Sequence, residues 1–103
     1  MHALIDRHRA TIASLCRRYG VRRLEVFGSA ARGIDFNPAT SDADFLVEFD
    51  PDRNLPPLQQ FFGLADALES VLDRHVDLVE TGAIRNPYFL RAIAKKRVLV
   101  YAA

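Results

Sequence analysis

Three aspartates and one glycine-serine pair are the residues of this sequence whose types and spacing could do chemistry. Asp42 and Asp44 stand two apart at the start of the apolar stretch DADFLVEF, and Asp77 interrupts a second apolar stretch, HVDLVE. Gly28 and Ser29 directly follow a third, RRLEVF. Glycine and acidic residues both weaken β-strands. Their positions in and beside three predicted strands therefore point to a site.

The spacing of the aspartates predicts a site for divalent cations. Asp42 and Asp44 would project from one face of a strand with their Cα atoms about 6.6 Å apart. If the strand of Asp77 is the neighbour, about 4.8 Å away, its carboxylate joins the other two. Carboxylates this close raise one another's pKa unless a cation lies between them. Hard oxygen ligands of this kind favour Mg²⁺ or Mn²⁺.

The glycine-serine turn predicts a phosphate site beside these carboxylates. A turn between the end of a strand and the start of a helix presents free backbone amides and a hydroxyl group, which suit a phosphate. Metal ions next to a nucleotide's phosphates favour attack on the α-phosphorus and neutralise the departing pyrophosphate, while a carboxylate can take the proton of the attacking hydroxyl. The combination predicts nucleotidyl transfer.

The elements that must position these residues alternate along the chain. Helical periodicity runs from Leu4 to Tyr19 and ends at Gly20, which is expected in the left-handed conformation. Further helices are predicted over Leu58–Leu72 and from Pro87 to Lys96, and strands at RRLEVF, DADFLVEF and HVDLVE, with RVLVY as a short terminal strand or extended tail. We predict the α+β (α/β) class, a small mixed β-sheet with helices packed on one face, as a single domain over residues 1–103.

Some residues have a plainer interpretation. Asp-x-Asp alone is often a solvated strand start, and a lone aspartate such as Asp77 can be an edge-strand charge that discourages aggregation. His75 would share a strand face with Asp77 but is interpreted as an exposed residue at the strand start. Phe61 and Phe62 are expected in the core because their neighbours continue an apolar stripe. The order and context of the glycine pair and the aspartates favour a site over coincidence.

Composition narrows the class of protein. Fourteen basic and thirteen acidic residues give a net charge of +1, which provides no general attraction to nucleic acid. Arginines cluster near the first helix-to-strand turn and could bind phosphate or form a solvated helix end, namely Arg17, Arg18, Arg22 and Arg23. Cys16 is the one cysteine, so no internal disulfide can form. No apolar run approaches membrane-spanning length, and we predict a cytoplasmic location without a membrane partner.

The stretches GSAARG, SDADFLVEF and VDLVE together resemble the signature of the minimal nucleotidyltransferase (MNT) branch of the DNA polymerase β-like nucleotidyltransferase superfamily. The resemblance covers nearly the whole chain, to about Tyr101. It implies the nucleotidyltransferase fold, ATP as substrate and Mg²⁺ or Mn²⁺ as cofactor. It assigns Gly28, Ser29 and Arg32 to the nucleotide phosphates, Asp42 and Asp44 to the metal, and Asp77 to the metal or to the role of base.

Members of this family as short as this chain are typically the antitoxin half of a two-protein module whose toxin is a HEPN ribonuclease. The resemblance implies transfer of AMP to a tyrosine hydroxyl of a HEPN toxin encoded by a neighbouring gene, and a hetero-oligomer with that toxin. Two alternatives remain open: an antitoxin that inhibits by binding alone, and a nucleotidyltransferase acting on RNA or a small molecule. The intact aspartates argue against the first, and no basic stripe or extra substrate domain supports the second. Twelve residues separate Ser29 from Asp42, where the family signature has roughly ten, which leaves the base preference open.

Overall fold

The computed structural model describes residues 3–28, 42–51, 55–83 and 97–103, which form three helices and four strands. The helices are α1 (Ala3–Arg7), α2 (Arg9–Arg18) and α3 (Pro57–Leu72). The strands are β1 (Val21–Phe27), β2 (Ala43–Phe49), β3 (Val76–Glu80) and β4 (Val98–Ala102), and a 3₁₀ turn (Thr81–Ala83) follows β3. RVLVY is therefore largely a strand, and the helix predicted from Pro87 to Lys96 lies outside the described residues.

The four strands form one mixed sheet in the order β3-β2-β1-β4. β1 is antiparallel to both β2 and β4, whereas β2 and β3 are parallel. The C-terminal end of β1 consequently meets the N-terminal ends of β2 and β3. In this register Asp44 lies opposite Phe27 on one side and opposite Asp77 on the other. The predicted α+β class with a small mixed sheet is confirmed.

The core lies between one face of the sheet and the described helices. Alternate residues of a strand point to the same face, and the alternation predicted for β1 and β2 places apolar side chains on the inner face. The strand residues of the core are Val21, Leu24, Val26, Ala43, Phe45, Val47, Val76 and Val100, all fully or nearly buried. The helices contribute Ile5, Ile12, Cys16, Leu64, Leu68 and Leu72. The spacing of four keeps Leu64, Leu68 and Leu72 on one face of α3.

The N-terminal helix differs from its prediction. The backbone of His8 has φ −99° and ψ 11°, so the chain forms two helices rather than one. Ile5 and Ile12, one on each side of this break, are both buried. Gly20 follows α2 with φ +70°, the predicted left-handed conformation. The amphipathic pattern correctly identified the buried face but not the break at His8.

The prediction that Phe62 lies in the core is wrong. Phe62 is 58% exposed and Leu58, one turn earlier, is 72% exposed. At about 100° per residue, Phe62 lies far from the face that carries Leu64, Leu68 and Leu72. Phe61 is half-buried and meets Phe62 edge to face, with ring centroids 5.3 Å apart. The apolar stripe of α3 is therefore narrower than the run of apolar residues indicated.

The opposite face of the sheet also contains buried groups. Leu46 of β2 is 1% exposed and lies opposite Glu25 of β1, which is 7% exposed. The Glu25 carboxylate accepts a hydrogen bond from Nε of Arg23 and forms an ion pair with Nε of Arg97, each at 3.2 Å. A buried carboxylate needs such partners, because an unpaired buried charge is strongly destabilising.

Two of the clustered arginines are paired with acidic residues. Arg22 contacts Glu48 at 3.4 Å and Asp50 at 3.8 Å, and Arg23 pairs with Glu25. These partners favour the structural interpretation of the cluster over a phosphate site. Within the described part of the chain, no helix is long and apolar enough to cross a membrane.

Candidate active site

The predicted site residues converge at the end of the sheet where β1 stops and β2 and β3 begin. Gly28 immediately follows β1 and has φ +71°, a conformation that residues with a Cβ atom rarely adopt. A Cβ atom built on Gly28 would lie 2.7 Å from Oδ2 of Asp44. Glycine is therefore favoured at position 28 for two reasons: it can adopt this backbone conformation, and its lack of a side chain leaves space for the Asp44 carboxylate. Ser29 and Arg32, the other predicted phosphate-binding residues, lie outside the described residues.

Asp44 and Asp77 form a carboxylate pair across the parallel strands. Their residues are direct partners in the register of β2 and β3, and their side chains are hydrogen-bonded to each other. Burial raises the pKa of Asp44 to about 6, and the hydrogen bond to Asp77 and the negative charges of Asp77 and Asp42 act in the same direction. Two carboxylates this close share a proton or require a cation. The sheet has thus brought together two aspartates that are far apart in sequence.

Three residues could bind one metal ion, namely Asp42, His75 and Asp77. One potential metal-ligand atom from each lies within 4.8 Å of the other two, a spacing at which one cation could contact all three. Asp42 and Asp77 are exposed, and Asp44 lies beside this group with its carboxyl against Gly28. The set is dominated by carboxylate oxygens, the donors that Mg²⁺ and Mn²⁺ prefer. Burial is the largest cause of the raised pKa of Asp44, and the negative charges of Asp77 and Asp42 add to it; a cation would relieve this repulsion. The residues present therefore fit a divalent metal.

His75 is the site residue that the sequence interpretation undervalued. It is exposed, as expected, but its Nε2 lies 3.0 Å from Oδ1 of Asp77 and its Nδ1 lies 3.5 Å from Oε1 of Glu69. The hydrogen bond to Asp77 raises the pKa of His75, with smaller contributions from the charges of Asp77, Asp42 and Glu69 in the same direction. The available signal was the spacing of two along a strand, which places His75 and Asp77 on one face.

The arrangement joins a left-handed glycine turn to a cluster of carboxylates at one sheet end. Backbone amides at such a turn can bind phosphate oxygens. Carboxylates that hold a divalent cation can place it against the same phosphates. This combination suits the activation of a nucleotide for attack by an acceptor hydroxyl.

Comparison with known proteins identifies the family. The model of the nucleotidyltransferase domain family matches residues 8–100. The chain belongs to this family. A relative in Methanocaldococcus jannaschii, a predicted protein adenylyltransferase, is 36% identical to this chain over 83 residues. The aligned region covers 81% of this chain and 80% of the relative. The protein adenylyltransferase MntA of Thermococcus cleftensis is 39% identical over 72 residues, 70% of this chain and 68% of the relative.

Solved structures show the same fold. A predicted minimal nucleotidyltransferase superposes on this nucleotidyltransferase with a TM-score of 0.74 and 33% identity, covering 95% of both chains. A more distant match is an MNT antitoxin in complex with the tri-AMPylated HEPN toxin of Shewanella oneidensis. It has a TM-score of 0.65 and 20% identity and covers 96% of this chain and 73% of that chain. The nucleotidyltransferase fold implied by the sequence motifs is confirmed.

Proposed function

We propose that this nucleotidyltransferase is a Mg²⁺-dependent protein adenylyltransferase that transfers AMP from ATP to a tyrosine hydroxyl of a HEPN toxin and thereby acts as its antitoxin. The observation that carries the proposal is the convergence of Asp42, Asp44 and Asp77 beside the left-handed turn at Gly28. The names of the relatives support AMP as the transferred group. The complex of an MNT antitoxin with an AMPylated HEPN toxin supports the choice of partner.

In the proposed reaction the tyrosine oxygen attacks the α-phosphorus of ATP. A new oxygen–phosphorus bond forms, the bond from the α-phosphorus to the bridging oxygen breaks, and pyrophosphate leaves with that oxygen. Asp77 accepts the proton of the hydroxyl group, as an ionised carboxylate at the site can. Bound Mg²⁺ supplies neutralisation of the charge on the phosphates and the departing pyrophosphate. Asp42 and Asp44 would hold the metal together with Asp77, and the turn at Gly28, with Ser29 and Arg32, would hold the triphosphate.

The site geometry favours catalysis over inhibition by binding alone. Asp44 and Asp77 lie hydrogen-bonded to each other at a partly exposed sheet end, where burial and like charge raise the pKa of Asp44. This arrangement is unfavourable without a cation and contributes nothing to the core. An antitoxin that inhibited its partner by binding alone would not need this carboxylate pair.

A labelling experiment tests the proposal. The protein is incubated with Mg²⁺, each of the four nucleoside triphosphates labelled at the α-phosphate, and the HEPN protein encoded beside its gene; label and intact mass of the partner are then measured. We expect a partner mass gain of whole AMP units with ATP, lost in Asp42→Asn and Asp77→Asn. Asp66→Asn is the matched control, because Asp66 is an exposed carboxylate on α3 outside the described site.

The other outcomes separate the alternatives. A stable complex that inhibits the partner without label, with equal inhibition by Asp77→Asn, would replace the proposal with inhibition by binding. Label on added RNA but not on the partner would move the acceptor to nucleic acid. A requirement for a nucleotide other than ATP would retain the reaction class and overturn the assignment of AMP.

A further inference from the structure

His75 lies between two carboxylates that come from different elements. Its Nε2 is 3.0 Å from Oδ1 of Asp77 on β3, and its Nδ1 is 3.5 Å from Oε1 of Glu69 on α3. The same Glu69 oxygen accepts a hydrogen bond from the backbone N–H of Val76 at 3.4 Å. Glu69 is therefore anchored to the start of β3, and His75 connects this anchor to Asp77.

A tight turn fixes the position of Glu69 relative to His75. Asp73 ends α3 in the left-handed conformation, with φ 52° and ψ 49°, and its backbone N–H bonds to the carbonyl of Glu69. The N–H of Arg74 is also directed at that carbonyl, at 3.4 Å. The chain thus turns back beneath the last turn of α3, so that His75 faces the Glu69 side chain.

Asp77 needs a partner of this kind to hold one orientation. Its side chain is 54% exposed, so packing alone does not select a rotamer. Its carboxyl group must nevertheless face Asp44 on the adjacent strand while remaining near Asp42. An ionised carboxylate can only accept hydrogen bonds, so at 3.0 Å the His75 ring is the donor. A ring nitrogen that donates to Asp77 carries a proton where a metal would need its lone pair.

We propose that His75 is a positioning residue, which donates from Nε2 to Asp77 while its Nδ1 lies beside Glu69, so that the Asp77 carboxylate points into the metal site. The inference rests on the proposed function, in which Asp77 belongs to that site. Outer groups that hydrogen-bond to metal-ligating carboxylates affect metal affinity by about 10- to 100-fold when removed. His75 would act through Asp77 without contacting the metal.

Three substitutions of His75 separate this role from metal ligation. The amide nitrogen of glutamine lies near the position of Nε2, and that of asparagine lies near Nδ1. His75→Gln should therefore keep the donor to Asp77, whereas His75→Asn and His75→Ala should lose it. Folding is checked by circular dichroism and urea titration. The binding of Mn²⁺, by electron paramagnetic resonance, and of Mg²⁺, by calorimetry, is then measured without nucleotide or partner.

We expect His75→Ala and His75→Asn to weaken Mg²⁺ and Mn²⁺ binding alike, by about 10-fold, and His75→Gln to restore most of the loss. Selective loss of Mn²⁺ affinity, or ¹⁴N coupling to Mn²⁺ in the wild type that His75→Ala removes, would overturn the inference in favour of a metal ligand. Unchanged affinities in all three variants, or no metal binding by the wild type, would also overturn it. Because binding is measured without turnover, wild-type metal binding without AMP transfer would count against the proposed function alone.

Discussion

The substitution Gly28→Ala tests the placement of Asp44 directly. Alanine at φ +71° carries a backbone penalty of about 1–2 kcal/mol. Its Cβ would also lie 2.7 Å from Oδ2 of Asp44, whereas ordinary contacts begin at 3.4 Å. The carboxylate end must then move by about 0.7 Å, the difference between these two distances. Displacements approaching 1 Å at a reacting centre can reduce rates by about 100-fold, so we expect a loss of AMP transfer of about 10- to 100-fold.

Gly20→Ala is the matched control because Gly20 has φ +70° at the opposite end of β1. Both variants should lose at least about 1 kcal/mol of unfolding free energy in urea titrations, since both place a Cβ in the left-handed region. Initial rates of AMP transfer, measured at temperatures where each variant is folded, should fall only in Gly28→Ala. Equal rates in the two variants, at comparable stability, would refute the assignment of Asp44 to the site.

Three further predictions concern stability. In the metal-free protein, the pKa of Asp44 is raised from 3.8 to about 6, so the folded state binds this proton more tightly than the unfolded state does. The resulting gain in the free energy of unfolding is fully present below pH 3.8 and is lost as the pH rises through about 6. The shift corresponds to less than about 3 kcal/mol of unfolding free energy, and to about 1–2 kcal/mol after screening by solvent. Asp44→Asn should therefore be more stable than wild type at pH 7 by about 1–2 kcal/mol in urea unfolding, and a difference that does not vary with pH would contradict this. Phe62→Ala should lower the free energy of unfolding by less than about 1 kcal/mol, whereas Leu68→Ala should lower it by about 2–5 kcal/mol, in parallel thermal and urea unfolding. Similar losses in the two variants would show that Phe62 is packed. Glu25→Ala should lower the free energy of unfolding by about 2 kcal/mol, because it removes the buried partner of Arg23 and Arg97. A chemical denaturation midpoint equal to that of wild type would show that these pairs contribute nothing to stability.

Much of the sheet was predictable because apolar residues alternate along the inner face of its central strands. In β2, Ala43, Phe45 and Val47 occupy one face and Asp44 the other, as the period of two requires. This alternation also sets the register, since a shift of one residue would turn Asp44 into the core. The prediction for Phe62 failed because a dense run of apolar residues does not by itself reveal which of them face the sheet.

The adjacency of Asp44 and Asp77 could only be stated as a condition in the sequence interpretation. It requires β3 to pair with β2, in parallel, and in the register that sets these two residues opposite each other. Alternation fixes which face of β3 carries Asp77, but not the neighbouring strand. The order β3-β2-β1-β4 supplies that neighbour, and with it the electrostatic pair that raises the pKa of Asp44.

The link from His75 to Glu69 depends on a local conformation that the sequence did not indicate. An aspartate adopts the left-handed conformation much less readily than glycine, so nothing marked Asp73 as the residue that turns the chain after α3. Once that turn forms, Glu69, His75 and Asp77 become successive partners, and a helix end is connected to a carboxylate on the neighbouring strand. At the end of β1, Gly28 has no Cβ atom and therefore leaves room for the Asp44 carboxylate. The turn at Asp73 therefore places His75 between Glu69 and Asp77, where it contacts the Asp44–Asp77 pair from outside, whereas the missing Cβ at Gly28 gives Asp44 the space to reach Asp77 at the same sheet end.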